Sequence, residues 1–233
     1  MNMAKTDSCM VCGYDLEYLD KSISSSCVYC TKVDEAYFIC KRGHYVCEEC
    51  HPGDIIEILT NFCLSSASEN PLEMANILMG HEKMHMIGPE HHPMIAAVLV
   101  TAYKNKTTKA TDEDIKEAIK RGSRLPAGYC GLYGADAAAI STGIAMSIIT
   151  GATPLTDVEK TIANMLTSRV LAAISNEGGK RCCKRSTWIA LKVAVRYIKE
   201  VLDVDLESIP ASEMKCGYFG RNKHCNKENC RFF

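Results

Sequence analysis

The residues of this chain that could do chemistry are its fourteen cysteines and seven histidines, set in 233 residues. They fall into two sets with different spacing. The first reads Cys9-x2-Cys12, Cys27-x2-Cys30, then Cys40-x3-His44-x2-Cys47-x2-Cys50, with His51 directly after. Two thiolates held two residues apart on a tight turn reach one ion without strain, which is the spacing logic of structural zinc sites. The eight ligands Cys9, Cys12, Cys27, Cys30, Cys40, His44, Cys47 and Cys50 are enough for two tetrahedral zinc ions. Four thiolates also suit iron, but cysteine sites with hairpin spacing near a terminus favour zinc. The pairing stays open: either Cys9, Cys12, Cys27 and Cys30 form one site and the remaining four the other, or the pairs cross-brace. His51 is an alternative nitrogen ligand to His44. Such closed sites keep no open coordination position, so this module docks or binds.

The second set is dispersed. Cys130 follows Pro126-Ala-Gly-Tyr and precedes Gly131-Leu-Tyr-Gly134, a glycine-rich turn feeding a helix N-terminus, where backbone N–H groups stabilise a thiolate or an anionic cluster. Cys182 and Cys183 sit between Lys180-Arg181 and Lys184-Arg185, cationic neighbours that favour thiolate. Cys216, Cys225 and Cys230 lie in a polar, lysine-rich tail. With His224 the tail supplies four ligands for a third zinc site; alternatively it folds back and shares a cluster with Cys130, Cys182 and Cys183, the reading preferred here. Cys63 belongs to an ordinary helical core. His81-Glu82-Lys83-Met84-His85 spells the metalloprotease pattern, but Gly80 before it and Gly88-Pro89 after it leave too short a helix, and the match is set aside as chance. His91 and His92 either cap a helix or reach the cluster. Met74, Met79, Met84, Met86 and Met94 read as core filling.

These residues need elements to hold them. The first fifty or so residues contain few large apolar side chains and cannot stabilise a fold alone, so metal must supply what the core lacks. Glu35–Cys40 and His44–Cys47 read as strands of a zinc ribbon or treble-clef-like module. Beyond Pro52 the pattern is helix after helix: Asp54 before Ile55 to Phe62; Asn70-Pro71 with Glu73; His92-Pro93 before Met94 to Tyr103; Thr111 with Asp114, ending near Gly122; Thr156 with Glu159, running to Asn176; and Ser186 to Leu202. The segment Gly134 to Gly151, built of small residues, admits a close helix neighbour or a cofactor. The fold class is mostly α, with a zinc-binding module (1–52), an α-helical bundle (53–207) and a cysteine-rich tail (208–233) packing back on the helices.

Composition narrows the function classes. The start MNMAKTDSCMVCGYD lacks a secretory signal, so a cytoplasmic location is expected. Thiols stay reduced there, which turns so many cysteines toward metal or redox chemistry rather than disulfides. No apolar run is long enough to insert in a membrane. A net charge of −1 gives no global signature of nucleic-acid binding, although Lys215, Arg221, Lys223, Lys227 and Arg231 make the tail locally basic.

Several motifs together are similar to an uncharacterised cysteine-rich family of anaerobic archaea and bacteria, sometimes labelled methyltransferase. They are Cys9-Met-Val-Cys12-Gly, Gly43 through His51, Gly88-Pro-Glu-His-His-Pro93, Pro126-Ala-Gly-Tyr-Cys130-Gly, Arg181-Cys-Cys-Lys-Arg185, and Asn222 through Cys230. The Cys130 region also resembles redox-active proteins named for a Cys, Gly-Cys-Ala-x-x-Gly, Cys, Cys pattern. Here Asp136 stands about where a helix cysteine is expected, so either an aspartate ligates or that position is lost. The methyltransferase label finds no support: Gly128, Gly131 and Gly134 lie between helices, not after a strand as a nucleotide-binding turn requires. The expectation is a metal-binding protein with structural zinc and a 4Fe-4S-type iron–sulfur cluster on Cys130, Cys182, Cys183, Cys216, Cys225 and Cys230. It would act in electron transfer or metallocofactor maturation, with other protein subunits of an anaerobic complex as partners. The resemblance allows one specific setting, activation of methyl-coenzyme M reductase in a methanogen. The alternatives are a thiol-based redox enzyme using Cys130 with Cys182 or Cys183, and a zinc-only adapter binding protein or RNA.

Overall fold

A computed structural model describes residues 9, 11, 12, 14, 16–47, 50 and 54–233, the side chain of Ala211 excepted; His51 lies outside the described residues. The chain begins as an antiparallel hairpin of β1 (Leu16–Ser26) and β2 (Val33–Cys40). Its register pairs Leu16 with Cys40 at the open end and Ser26 with Val33 at the turn, with an irregularity between Tyr18 and Ile23. Such a bulge bends and twists the ribbon. β2 includes the strand expected at Glu35–Cys40. Of the strand expected at His44–Cys47, Tyr45 makes an isolated parallel bridge to Cys27. β1, rich in serine and charge, carries little strand signal of its own and is held by its partner.

Eight α-helices follow among the described residues: α1 (Ile55–Ser65), α2 (Pro71–Gly80), α3 (His91–Thr107), α4 (Asp112–Gly122), the one-turn α5 (Tyr129–Leu132), α6 (Ala137–Thr150), α7 (Val158–Glu177) and α8 (Cys183–Leu202). The caps explain their starts. Asp54 accepts from the Ile56 N–H, Asn70 from Leu72 and Glu73 with Pro71 at the first position, and Thr111 with Asp114 closes a capping box. Three starts differ from the sequence pattern. Thr156 closes a turn with Thr153, so α7 begins at Val158. α8 begins at Cys183, and α3 begins at His91 with Pro93 inside its first turn, where a missing N–H is tolerated.

Every residue of α3 from His91 to Tyr103 is buried, as a helix surrounded by others must be. α4, α6 and α8 pack around it, and α7 covers α6 and α8. The small residues of α6 admit α7 closely: a Cβ on Gly143 would lie 2.1 Å from Thr167 Oγ1. The α3–α4 crossing is as close. A Cβ on Gly122 would stand 2.5 Å from Pro93 Cα and 2.8 Å from Pro93 N, backbone atoms that cannot swing away. Gly122→Ala is therefore expected to cost about 1–3 kcal/mol by forced displacement of the α3 start, read as a lowered melting temperature; an unchanged melt would contradict this contact.

The ribbon and the helices share one core. Tyr29, fully buried, packs edge-on against Phe62 at 6.4 Å and His81 at 4.6 Å. After α8 the chain returns through three short 3-10 turns at 211–213, 219–221 and 227–229. Phe232 is buried against Trp188 of α8 at 5.0 Å, the Cys216 N–H donates to Phe232 O, and Arg231 pairs with Glu177 of α7. No helix among the described residues is long and apolar enough to cross a membrane.

Candidate metal centres

The hairpin decides how the first eight ligands divide. Cys40, opposite Leu16, is at the end of the ribbon near Cys9 and Cys12, whereas Cys27 and Cys30 lie within the hairpin turn. The chain leaving Cys40 donates His44 to the near group, bridges Cys27 through Tyr45, and delivers Cys47 and Cys50 to the far group. The result is a cross-brace: Cys9, Cys12, Cys40 and His44 form one group and Cys27, Cys30, Cys47 and Cys50 the other, each with all ligand atoms within 4.8 Å of one another. Cys12 and Cys40 sulfurs stand 3.4 Å apart, Cys30 and Cys47 sulfurs 3.6 Å, and Cys9 Sγ is 3.7 Å from His44 Nδ1. A tetrahedral zinc–thiolate site with bonds of ~2.3 Å sets its sulfurs only ~3.8 Å apart, so each group could hold one metal ion.

Backbone donors complete these sites. The Tyr29 and Cys47 N–H groups point at Cys27 Sγ, each at 3.4 Å, and the Arg42 N–H at Cys40 Sγ at 3.3 Å. Burial raises the Cys27 thiol, but the N–H groups of Cys47, Tyr29 and Cys30 outweigh it and hold it below the ordinary value. Burial acts likewise on Cys40, where the Arg42 N–H and the Cys12 and Cys9 thiols outweigh it. The neighbouring Cys9 and Cys30 are pushed up to about 11, chiefly by burial. In the far group burial raises Cys50 as well as Cys30, so in both groups a metal ion must displace protons from the raised thiols to bind. His44 is held below its usual value by burial and by Arg42, which keeps the imidazole neutral and able to ligate.

The second set of cysteines divides between two small cavities. Cys182, Cys216, Cys225 and Cys230 line the first, with Met86, Arg185, Trp188, Asn222 and His224. The tail reaches it because Trp188 is its staple, between Phe232 at 5.0 Å and Tyr218 at 6.2 Å, with its indole N–H donated to Asn76 Oδ1 at 2.7 Å. Within the tail the Tyr218 N–H points at Cys216 Sγ and the Lys227 N–H at Cys225 Sγ, both at 3.3 Å. This is the same turn, a thiol receiving the N–H two residues on, that Cys27 and Cys40 make in the N-terminal groups. Burial raises the Cys216 thiol; the Tyr218 N–H opposes this, and Cys182, Cys230 and Cys225 raise it further. Cationic groups stand close by. Arg185 lines the cavity with its guanidinium on Lys180 O, and Lys184, fully buried, lies 5.0 Å over the Tyr218 ring with its ammonium on Met79 O.

The second cavity is lined by His91, His92, Cys130, Asp136, Arg181 and Cys183 together with Ala137, Ala138 and Ser186. Cys182 and Cys183 therefore face different cavities, although they are neighbours in sequence. Cys182 is the extended N-cap of α8 and Cys183 its first helical residue. Cys130 lies inside α5 rather than at the start of α6, whose N-terminus is capped by Asp136 through the Ala138 N–H. His91 is held well below its usual value and His92 below it, in both cases chiefly by burial. Sequence spacing could not show this grouping, though the His91-His92 pair was visible as a candidate.

The remaining candidates are structural. His81 caps the end of α2 and is buried beside Tyr29, while His85 is exposed and rests on Glu90; the two do not share a helix face. Met74, Met79, Met84 and Met94 are in the core, as is Cys63, whose thiol burial pushes up to about 12.

No curated protein and no solved structure matches the chain. The model of a family of unknown function (DUF5714) matches residues 59–233, taking in both cavities and the returning tail and leaving out the cross-braced ligands. The match spans most of the chain, and the protein belongs to that family.

Proposed function

We propose that the protein holds structural zinc in its two cross-braced groups and an iron–sulfur cluster between α8 and the tail. It would use that cluster in electron transfer or metallocofactor maturation within a larger complex. The observation that carries the reading is the convergence of four thiols, Cys182, Cys216, Cys225 and Cys230, on one cavity. The N–H donors to Cys216 and Cys225 would tune such a cluster, and Arg185 and Lys184 would offset its negative charge. When bound, the cluster supplies one-electron chemistry; the chain's residues hold it, shield it behind Trp188 and set its electrostatics.

The test is anaerobic purification followed by measurement of iron, sulfide and zinc per chain and of the visible spectrum before and after dithionite. The expected result is zinc together with iron and sulfide, with visible absorption that dithionite bleaches. Cys216→Ser and Cys225→Ser should each lose most of the iron while zinc is retained. Zinc without iron or sulfide from an anaerobic preparation overturns the reading and leaves a zinc-only adapter.

A further inference from the structure

We propose that the cavity where α3, α5, α6 and α8 meet is a separate site for a single divalent first-row transition ion, bound by His91 and His92 through Nε2 and by Cys130 and Cys183 through Sγ. The proposal does not rest on the iron–sulfur reading, since the two ligand sets share no residue.

The strongest observation is an orphaned lone pair. His91 is 1% exposed, and its Nδ1 stands 3.1 Å from Gly88 O. A carbonyl only accepts, so the proton is on Nδ1 and Nε2 is left as an acceptor. That Nε2 is buried without a partner, on a residue that lines the cavity. Leaving a buried polar atom unsatisfied costs about 1–3 kcal/mol. His92 repeats the arrangement: Nδ1 lies 3.0 Å from Leu125 O, again leaving Nε2 as the lone pair. Donation of one ring nitrogen to a backbone carbonyl, which fixes the tautomer and aims the other nitrogen, is the usual support of a metal-ligating histidine.

The Gly88 carbonyl holds His91. Asp136 also lines the cavity and is held in place there, Oδ1 accepting from the Ala138 N–H and Oδ2 from Ser186 Oγ. The cavity is about 20 Å³, the same as the tail cavity, so the assignment of a single ion here rests on the ligand types and the orphaned His91 nitrogen rather than on volume. Two imidazoles and two thiolates select a tetrahedral zinc or ferrous ion over the hard, oxygen-seeking cations. The four ligand atoms are not gathered within 4.8 Å as the N-terminal groups are, so binding draws them together. Cys130 can make the approach: its one-turn helix stands between Gly128 at φ +80° and Gly134 at φ +67°, with Gly131 and Leu132 exposed.

The test uses the full chain, prepared anaerobically, equilibrated with excess zinc and desalted, with zinc plus iron counted per chain. His91→Gln, Cys183→Ser and Cys130→Ser should each lower that total by one equivalent, with the dithionite-bleachable visible spectrum unchanged. Cys130→Ser lies outside the core, so its circular dichroism and melting serve as the folding control if the buried variants are destabilised. The same metal total in the wild type and in Cys130→Ser overturns the proposal and assigns the cavity to a buried water. Failure of the cluster reading would show instead as an absence of iron, sulfide and visible absorption, with this one-equivalent difference still present.

Discussion

Stripping metal from the cross-braced groups is expected to unfold the ribbon while the helices persist. The ribbon's apolar side chains are sparse: Val33, Tyr37 and Phe38 are exposed, and the ribbon reaches the common core mainly through Ala36, Tyr29, Tyr45 and the ligand cysteines themselves. A structural zinc site contributes on the order of 10–16 kcal/mol of apparent binding free energy, far more than that packing supplies. With a strong chelator, trypsin should cut at Lys21, Lys32, Lys41 or Arg42 within minutes, yielding a protected fragment that begins at Gly43 and keeps most of the helical circular dichroism. Cys47→Ala should give the same pattern without chelator, since it removes one ligand from the far group and leaves three. A ribbon that resists trypsin equally with and without metal would show that hairpin and core packing alone hold it.

Trp188→Ala is the second large expected effect, because that side chain packs on both ends of the returning tail, Tyr218 and Phe232. Trp188 is 4% exposed, packs on Phe232 and Tyr218, and donates to Asn76. Truncating a buried tryptophan costs about 3–5 kcal/mol, and here the loss falls on the contacts that bring the tail back to α8. The expected outcome is a lowered melting temperature, tryptic cleavage at Lys215 and, with the proposed cluster in the tail cavity, loss of iron, because Cys216, Cys225 and Cys230 no longer converge on Cys182. Trp188→Phe keeps a ring in the pocket but loses the indole's second ring and the bond to half-buried Asn76, so it should keep the tail in place with a smaller loss of stability than Trp188→Ala. Full iron in Trp188→Ala would mean that the tail is held by other contacts, Arg231 with Glu177 among them.

The helical caps were legible because capping is local. Asp54, Asn70 and Thr111 each satisfy N–H groups two or three residues away, and a pattern confined to three residues does not depend on the rest of the fold. Thr156 misled for the same reason read in reverse: its hydroxyl had an equally local partner in Thr153, and the turn won. The strand β1 had no adequate local signal, being specified by the partner β2 and by the sites at the ribbon's two ends.

For the chemistry, the sequence by itself determined that thiols two residues apart would present paired ligands, since that depends only on the geometry of a tight turn. It determined also that the thiols at Cys130, Cys182, Cys183 and the tail needed an explanation separate from the first set. Only the tertiary structure decided which pair meets which. The cross-brace follows from the hairpin carrying Cys40 away from the turn at Cys27, together with the return through Tyr45. The split between Cys182 and Cys183 follows from the start of a helix, where one residue is still extended and the next has turned. Contacts across tens of residues are set by the path of the chain and the packing of its core, and spacing along the sequence carries no record of that path.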